Sequence, residues 1–544
     1  TASQADGKLV LTAPGNQSIN TISPFIDLSQ SYGSSRSHTV FLREYDADGL
    51  ITGNLVSGVD GGMATWADIK ANAKLIGITL KDMDVLDIPE VRFLSNLAGG
   101  DGFLQNGQAW LVARDLTTGA VFYVQNSDLS VNQTIWNAAG TVSNAANSAN
   151  NSTVLANLRL QTIGHSFLDD IAHTAAPVNS RGVPLTADSD SVINDVNNNG
   201  VIDSGETALP PGTFDNELLD KHFVAGDGRS NENIGLTAIH DVFHAEHARV
   251  LTQIKSFLTP AANNMMADAH GNLWTGEMLF QAAKLVTEME YQHLVFGEFV
   301  RKLSPNITAF AGYDVTIDPA ISAEFAHAVY RFGHSMLTET VALQQFDANG
   351  KAIAGATGDM GLIQAFLNPT AYTHSTAGEF ALGGSQQVGN GIDIWVTDAL
   401  RNNLVGLPLD LATLNIVRGR DSGMLSLNGV RAELYAAGVV NLKPYTNWSE
   451  FNDNLMHKET LVNFVMAYSR DAVLTQFGGN ADIAVWNAMQ TSDSAAYATA
   501  LRAAGNAAIL DGAFMSNDQG FNAIDFWLGG LAETAVPGGM LGST

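Results

Sequence analysis

The stretch FVAGDGRSNENIGLTAIHDVFHAEHAR, residues 223–249, organises our interpretation of the whole chain. It begins as a glycine-rich acidic loop, in which Arg229 and Glu232 stand three residues apart on a backbone that can approach a ligand closely. A helix is predicted to begin at about Leu236. Apolar residues then recur at three-, four- and seven-residue spacings, as one buried helix face requires: Leu236, Ile239, Phe243 and Val250. The stretch therefore predicts a binding loop that leads into a packed helix.

The composition describes a folded, strongly acidic chain without cysteine. Its 544 residues are 45% hydrophobic and include 14 prolines, which favours a folded body over a disordered one. Acidic residues outnumber basic ones 55 to 27, and the formal charge of −28 disfavours nucleic acid and anionic membrane surfaces. Disulfides and thiolate metal sites are excluded because cysteine is absent. We find neither an export signal nor an apolar run of the ~18–20 residues that cross a membrane. This balance suits a secreted protein that meets divalent cations.

Residues 21–35, TISPFIDLSQSYGSS, offer oxygen atoms at alternate positions near the start of the chain. The side chains of Ser23, Asp27 and Ser29 and the carbonyl group of Phe25 could surround a hard cation. Loops rich in Ser and Asp are also common as ordinary turns. From the residues alone, a calcium site and a simple turn both remain open.

Residues 195–206, DVNNNGVIDSGE, match a calcium loop of the EF-hand type more closely. Every ligand position is filled by an oxygen donor, with glycine at the sixth position and a glutamate at the twelfth. The predicted ligands are Asp195, Asn197, Asn199, the Val201 carbonyl, Asp203 and Glu206. The alternative is a chance Asp/Asn-rich turn. We predict an isolated calcium loop within an inserted segment, residues 178–215.

Two groups of histidines invite a metal-binding interpretation. In residues 163–177, His165 and His173 accompany Asp169 and Asp170, but a helix with a polar face is the favoured interpretation there. On the predicted helix, His240 and His244 stand four residues apart, as zinc ligands can. No third ligand is evident, so a zinc hydrolase is the weakest of our functional hypotheses.

Two further segments carry candidate functional residues. In residues 324–343, predicted to be a helix, His334 follows a glycine that would let a flat ring lie close to the backbone. A lone histidine on an apolar helix is more often a buried core residue than a ligand. In residues 410–431, DLATLNIVRGRDSGMLSLNGVR, Asn415 and Arg418 precede Arg420. From the residues alone, none of these has a firm role.

Four of these segments, in this order, resemble signatures of the animal-type haem peroxidases, and specifically their bacterial extracellular branch. S-P-F-I-D-L-S-x-x-Y-G is similar to the calcium loop of that family, and A-G-D-x-R-x-x-E-x-x-x-L-T to the segment that carries its distal arginine. A-x-x-x-R-F-G-H-S is similar to the proximal histidine motif. The fourth segment resembles D-L-x-x-x-N-I-x-R-G-R-D, although Ser422 and Leu427 depart from the family pattern.

The resemblance implies roles for individual residues around a haem b group. His334 would bind the iron and Asn415 would accept the ring N–H of His334, while Arg331 and Arg418 would contact haem propionates. Arg229 would polarise bound peroxide. Glu232 matches a carboxylate that in some members is esterified to the haem. Calcium would bind at the loop of Ser23 to Ser29.

One part of the family pattern has no counterpart. The distal histidine segment lies before the calcium loop in the family, and no histidine precedes that loop here. We therefore expect residues 1–544 to form a haem-peroxidase-like domain that lacks its distal-histidine segment and its last C-terminal residues. A second chain or a further N-terminal segment would supply the distal histidine.

The predicted fold is mainly α-helical, a large single domain with a calcium-loop insertion. The predicted function is a haem-dependent peroxidase that reduces hydrogen peroxide and oxidises halide, phenol or Mn(II), with a link to oxidative stress. The rival hypothesis is a non-catalytic, calcium-stabilised extracellular module that keeps the peroxidase fold.

Overall fold

The structure of the chain is a computed structural model in which helices predominate, as the sequence predicts. It describes residues 2–5, 8–11, 26–93, 109–130, 133, 135–137, 142–144, 149–196, 202–262, 265–312, 314, 316, 320–402, 404 and 408–544. Two compact units are present, and both are discontinuous in sequence. Unit I comprises Ile26–His293 and Thr340–Gln387, and unit II comprises Thr1–Phe25, Leu294–Glu339 and Val388–Thr544. That residues 1–544 form one domain stays a prediction.

The α-helices are, in chain order, Ser29–Tyr32 (α1), Arg36–Leu42 (α2), Trp66–Leu75 (α3), Ala149–Leu155 (α4), Asn216–Leu219 (α5), Ile234–Lys255 (α6), Gly276–His293 (α7), Val300–Leu303 (α8), Ala323–His327 (α9), Gly333–Met336 (α10), His374–Gln386 (α11), Asp398–Asn402 (α12), Leu411–Asp421 (α13), Leu427–Ala436 (α14), Trp448–Asp453 (α15), Leu461–Tyr468 (α16), Arg470–Phe477 (α17), Ile483–Ser492 (α18), Ser494–Leu510 (α19), Gly512–Met515 (α20) and Phe526–Ala532 (α21). Within the described residues, no helix is both long enough and apolar enough to cross a membrane.

The strands are short, and they are Ala2–Ala5 (β1), Lys8–Leu11 (β2), Arg43–Tyr45 (β3), Ile51–Leu55 (β4), Val91–Phe93 (β5), Ala109–Asp115 (β6), Val121–Val124 (β7), Ile135–Asn137 (β8), Val142–Asn144 (β9), Leu158–Leu160 (β10), Thr186–Ala187 (β11), Thr213–Phe214 (β12), Thr259–Pro260 (β13), Met266–Ala267 (β14), Leu273–Trp274 (β15), Thr340–Val341 (β16), Gln344–Phe346 (β17), Ala352–Thr357 (β18) and Met360–Gly361 (β19). The largest sheet is antiparallel. β5 and β10 both pair with the edge of β6 that lies opposite β7, and the order continues as β6, β7, β8, β9.

The centre of unit I is α6, which packs against α7, α11 and the β3–β4 hairpin. It begins at Ile234, two residues before the predicted start, because the Asn233 side chain caps it by accepting a hydrogen bond from the Leu236 backbone N–H at 3.0 Å. The close approach of α7 to β4 depends on Gly276, since a Cβ there would lie 1.8 Å from the Ile51 carbonyl oxygen.

The buried face of α6 differs from the predicted one. Ile239 is 47% exposed, whereas His240, His244 and His247 are all buried. The neighbouring hairpin explains the difference. His244 Nε2–H donates to the Val56 carbonyl and His247 Nε2–H to the Gly53 carbonyl, each at 3.0 Å. The rings of His244 and His247 can be buried there because a backbone carbonyl accepts a hydrogen bond from each of them.

Several predicted helices of unit I are wrong. The sequence also suggests a helix over residues 84–96. Of these, residues 84–93 are described, and they form the end of a 3₁₀ turn, Asp82–Leu86, and strand β5, because Pro89 cannot continue a helix. Residues 163–177 form turns, so the favoured polar-faced helix is absent. The amphipathic pattern of residues 268–303 predicts one long helix. The structure has α7, Gly276–His293, followed by a π-helical turn, Leu294–Phe299.

Unit II has an aromatic core formed by its C-terminal helices. Trp448, Phe451 and Phe521 are buried against one another, with ring centroids 5.3–6.3 Å apart. At the edge of this core, Glu533 is buried and accepts hydrogen bonds from Arg431 Nη1 at 2.9 Å and Tyr445 Oη at 2.8 Å. A buried carboxylate is tolerated because both partners also bury their polar atoms against it.

The predicted helix over residues 324–343 is broken into short pieces in unit II. Helix α9 ends at Ala328, whose φ of −131° is not helical, and a 3₁₀ turn, Val329–Phe332, leads into α10. The predicted apolar stripe is interrupted accordingly, because Phe325 is exposed. The break matters for the site below, since it sets the direction in which His334 leaves the backbone.

Candidate functional site

His334 and Asn415 are brought together in unit II by α10 and α13. The distance between His334 Nδ1 and Asn415 Nδ2 is 2.8 Å, across a separation of 81 residues in sequence. Asn415 is only 1% exposed, and it is the buried residue of α13. The helix presents it because Asp410 caps α13, accepting a hydrogen bond from the Thr413 backbone N–H at 3.1 Å. A fixed amide therefore faces one ring nitrogen of a histidine and leaves the other nitrogen, Nε2, to a ligand.

The surroundings of His334 keep its imidazole neutral. Burial lowers the pKa of His334 to about 4, and the positive charges of Arg331 and Arg418 act in the same direction against a hydrogen bond from Asn415. Arg331 is itself buried, with its guanidinium 5.2 Å from the centre of the Tyr330 ring. A neutral imidazole is the form of histidine that binds a metal. The site thus holds a neutral imidazole at physiological pH.

The two arginines of α13 have different partners. Arg420 forms an ion pair with Asp525, with Nε–Oδ1 and Nη2–Oδ2 distances of 2.8 and 2.6 Å. Arg418 is exposed on the same helix and acts on His334 only through its charge. Of the two, Arg418 is therefore the one left on the surface to meet an anionic group.

The His334–Asn415 pair fits an iron-bound haem after one rotation. In the structure the Asn415 amide donates through Nδ2 to His334 Nδ1, which puts the ring proton on Nε2. Iron at Nε2 requires the proton on Nδ1, with the Asn415 carbonyl oxygen accepting it. Turning the amide satisfies this requirement and gives up only the long 3.5 Å contact between Asn415 Oδ1 and Arg331 Nη1. The residues present are therefore compatible with haem ligation through His334.

Arg229 lies in unit I, on the loop that precedes α6. Its side chain is 55% exposed and pairs with Asp227 through two contacts, Nε–Oδ1 and Nη2–Oδ2, each 3.2 Å. Burial alone would raise the pKa of Asp227, but the guanidinium outweighs it and lowers that pKa. The loop is held close to α1, where a Cβ on Gly226 would lie 1.9 Å from the Ser29 carbonyl oxygen. The pairing orients a partly exposed cation.

Further carboxyl groups surround this arginine. Burial raises the pKa of Glu232, and the charge of Asp170 adds to the rise while Arg229 opposes it. Burial also raises the pKa of Asp170, again with Arg229 opposing. The segment of Asp170 reaches the loop because the Asp169 backbone N–H donates to the Gly228 carbonyl at 2.8 Å. Our sequence analysis left this segment without a role. Its only signal in the sequence was the pair of adjacent aspartates, Asp169 and Asp170, between two histidines.

The histidines of α6 do not form a zinc site with a third ligand. Among the described residues, the one group of three close metal-ligating side chains is Asp188, Asp190 and Glu217. His240 is 6% exposed, and its Nε2 has no hydrogen-bond partner in the described part of the chain. Burial lowers its pKa, with Asp227 opposing. The zinc hypothesis gains nothing from the structure.

The two predicted calcium loops are described only in part. At the first, the Asp27 carboxylate accepts hydrogen bonds from the Ser29 backbone N–H at 3.1 Å and hydroxyl at 2.6 Å, and Ser23 and Phe25 lie outside the described residues. At the second, the Glu206 carboxylate accepts from the backbone N–H groups of Val196 and Asp203, at 3.0 and 2.9 Å.

The predicted ligands of the second loop differ in their exposure to solvent. Asp195 is buried, Glu206 is half-buried and Asp203 is exposed. Asn197, Asn199 and Val201 lie outside the described residues. Calcium binding at both loops stays a prediction.

A family model and related sequences were found for this chain by comparison with known proteins. A family model described as animal haem peroxidase matches residues 196–481, which include His334, Asn415, Arg331, Arg229 and Glu232. The chain is 28% identical over 266 residues to a peroxidasin homolog, pxn-2, of Caenorhabditis elegans, covering 46% of this chain and 18% of that protein. It is 26% identical over 269 residues to peroxinectin A of Dictyostelium discoideum, covering 48% and 45%. The chain thus spans less than half the length of these relatives.

A solved structure is also similar. Peroxidase A from Dictyostelium discoideum aligns with a TM-score of 0.41 and 17% identity, over 94% of this chain and 82% of that one.

Proposed function

Because the chain belongs to the animal haem peroxidase family, we propose that it is a haem-dependent peroxidase that reduces hydrogen peroxide and oxidises a small donor. The observation that carries the proposal is the His334–Asn415 pair, a neutral, half-buried imidazole held by an amide at 2.8 Å. Haem b bound through His334 would supply the iron centre that reacts with peroxide. Arg331 and Arg418, both within the electrostatic reach of His334, are the candidate partners of the haem propionates.

Individual residues of the chain would then have separate chemical roles in the reaction with peroxide. With its amide turned so that the carbonyl oxygen accepts from His334 Nδ1–H, Asn415 would fix the tautomer of His334 and strengthen its electron donation, which favours cleavage of the O–O bond. Arg229 supplies a positive charge that binds peroxide and stabilises the negative charge that develops on its leaving oxygen. Asp227 orients the guanidinium for this task. Glu232 and Asp170, whose pKa values are raised, are the groups able to hold and release a proton close to Arg229.

The donor and the cellular setting are finer parts of the same proposal. Halide, phenol and Mn(II) are the candidate donors, and the formal charge of −28 favours the cation Mn(II) because an acidic surface raises its local concentration. We propose that the protein is secreted, that calcium binds at the loops around Asp27 and Asp195, and that a second chain or further segment supplies a distal histidine.

One observation favours a second candidate, a non-catalytic calcium-stabilised extracellular module. The Arg229 guanidinium is paired with Asp227 rather than left entirely for a ligand. A module that had lost its chemistry could retain such a pair for stability alone. The two candidates differ in whether haem binds at His334 and whether peroxide reacts there.

The test is a haemin titration of the full chain, followed by its Soret band. The wild type should bind one haem, His334→Ala should lose the band or shift it, and added imidazole should restore it by filling the space left by the side chain. His327→Ala, on α9 of the same unit, is the matched control and should behave as wild type. Peroxide added with a phenol or Mn(II) then distinguishes the donors. A wild type that binds no haem would refute the proposal and leave the non-catalytic module.

A further inference from the structure

A partly enclosed cavity of about 210 Å³ lies at the edge of the aromatic core of unit II. Its walls include the 3₁₀ turn Val329–Phe332, the loop that holds Ile392, helix α21 and residues 541–544. None of these residues has been given a function so far. The cavity is therefore a separate feature of unit II, and its lining indicates what it could hold.

One part of the wall is apolar and aromatic. Phe526 and Trp527 of α21 are each 6% exposed, and Ile392 is buried beside them. Val329 and Phe332, from the 3₁₀ turn, are half-buried. Moving an ion from water to such a wall is far less favourable than moving an apolar ring there. This part of the cavity therefore favours an uncharged aromatic group.

Another part of the wall is polar. It consists of Ser304, Asn306, Ser543 and Thr544. The last two are held in place by the buried Glu533 carboxylate, which accepts from Ser543 Oγ at 3.1 Å and from the Thr544 backbone N–H at 2.7 Å. Small-molecule sites commonly combine an apolar lining with a few fixed polar groups in this way. A ligand that fills the cavity should therefore have an apolar body and a polar substituent.

The indole N–H of Trp527 indicates the kind of substituent. Trp448 and Trp486, which are also buried in unit II, donate to the backbone carbonyls of Gln519 and Asn480, at 3.1 and 2.7 Å. Trp527 Nε1 is buried as well, but it has no acceptor among the described residues. A buried donor without an acceptor is unfavourable and rare in native proteins. A ligand oxygen bound in the cavity would provide the acceptor that the Trp527 indole lacks.

We propose that this cavity binds a neutral molecule with one aromatic ring and one hydroxyl group, a simple phenol, and that Trp527 Nε1–H donates to its oxygen. The size of the cavity limits the ligand to one ring. Apolar cavities of about 150 Å³ bind benzene, so a cavity of about 210 Å³ holds one ring with a small substituent and has no room for a second ring. The site is independent of the proposed function, because binding requires neither haem nor peroxide.

The position of the cavity gives the ligand a structural effect on the segment that carries His334. The 3₁₀ turn Val329–Phe332 leads directly into α10, and α21 packs against this turn. A ligand in the cavity would contact both the turn and α21. Because it binds only the folded chain, it would also raise the stability of unit II in proportion to its occupancy.

Two probes of similar size, phenol and toluene, test the proposal by calorimetric titration of the haem-free full chain. Wild type should bind one molecule of either probe. Trp527→Phe keeps the aromatic wall and removes the N–H, so it should weaken phenol binding about five-fold, as loss of one hydrogen bond does, and toluene binding by less than about two-fold. The matched control is Trp395→Phe, at a 54% exposed position of the same unit, which should change neither affinity.

Filling the cavity is the second test. A Cβ on Gly530, a wall residue on α21, would have only the Phe526 ring within 4 Å, at 4.0 Å. Gly530→Leu should therefore extend into the cavity and weaken the binding of both probes at least about ten-fold. Gly512→Leu, at a helical glycine that meets open space, is the control and should bind as wild type. If circular dichroism shows that Gly530→Leu is unfolded, Leu541→Phe fills the cavity from another wall.

The outcomes separate the site from the class of its ligand. If wild type binds no phenol, or if a folded cavity-filling variant binds it as wild type does, the cavity is not a ligand site. If Trp527→Phe weakens phenol and toluene equally, or weakens neither, the indole N–H does not recognise an oxygen and the ligand class is wrong. Phenol binding that is lost on filling and selectively weakened in Trp527→Phe supports the proposal.

Discussion

His222 provides a sharp test of how unit I responds to acid. Its side chain is fully buried, with Nδ1–H donating to the Leu218 carbonyl at 2.9 Å and Nε2 accepting from the Ala172 backbone N–H at 2.9 Å. A second ring proton would set two donors against each other. Burial lowers the pKa of His222 to about 4, against two hydrogen bonds to backbone carbonyls that act in the opposite direction. We therefore predict that protonation of this residue accompanies unfolding.

The loss of stability on acidification follows from the difference between the pKa of His222 in the unfolded chain and in the native state. The unfolded chain binds a proton at the ordinary histidine pKa of 6.5, and the native state only near 4. Between these values the unfolded state holds more protons, so the free energy of unfolding falls as the pH falls from 6.5 towards 4. At pH 5 the loss is about 2 kcal/mol for one such residue. His38 and His247, in the same unit, also have pKa values lowered by burial to about 4. The combined loss of about 6 kcal/mol is comparable with the whole stability of many domains.

The assay is urea unfolding followed by circular dichroism at pH 7 and pH 5. The His222→Gln variant should be less stable than wild type at pH 7, because it loses shape complementarity, but its stability should fall by about 2 kcal/mol less on going to pH 5. His270→Gln, at an exposed position, controls for the substitution itself. Equal losses in wild type and His222→Gln would refute the reasoning, whatever their absolute size.

Three other substitutions test separate features. Glu533→Ala leaves the buried Arg431 guanidinium without its counter-ion and should lower the free energy of unfolding, measured by chemical denaturation, by about 3–5 kcal/mol. Glu246→Ala removes a surface ion pair and should lower it by less than about 1 kcal/mol. Arg229→Lys removes the forked guanidinium from the proposed peroxide site. When the haem-loaded chain is mixed with peroxide by stopped flow, the rate of its reaction with peroxide should be lower by about 10²-fold, and its affinity for haem should be unchanged. Gly226→Ala forces a Cβ against a backbone carbonyl and should lower the melting temperature by several degrees, whereas Gly512→Ala meets open space and should not.

Local patterns in the sequence predicted some features well. Helix α6 and its preceding loop are where the periodicity and the glycines place them. The pairing of His334 with Asn415 joins residues 81 apart, and only the family resemblance indicated it. No period or spacing within either segment could have done so, because the contact depends on how α10 and α13 pack.

Other features depend on partners that the sequence does not show. The prediction of the buried face of α6 was wrong because the periodicity considers only apolar residues. This helix faces the carbonyl groups of Gly53 and Val56 and buries histidines against them. The group of Asp188, Asp190 and Glu217 was missed for a related reason. Strands β11 and β12 are only two residues long. Such short strands have no hydrophobic period from which the position of Asp188 beside Glu217 could be predicted.

The division of the chain into two interleaved units has a consequence for its synthesis. Helix α11 packs on α6, where Phe380 lies 2.9 Å from the position of a Cβ on Gly235, so unit I cannot complete its packing until the ribosome has passed residue 387. The His334 segment is made before α11 but belongs to unit II, and it must wait for Asn415. Unit I can therefore complete its packing only after residue 387 has been made, and unit II only when its C-terminal helices follow. Contacts of long sequence separation form slowly. The nascent chain thus exposes apolar helix faces for longer than a chain of sequential domains would, and we expect its yield to depend on the rate of translation and on chaperones that hold such faces.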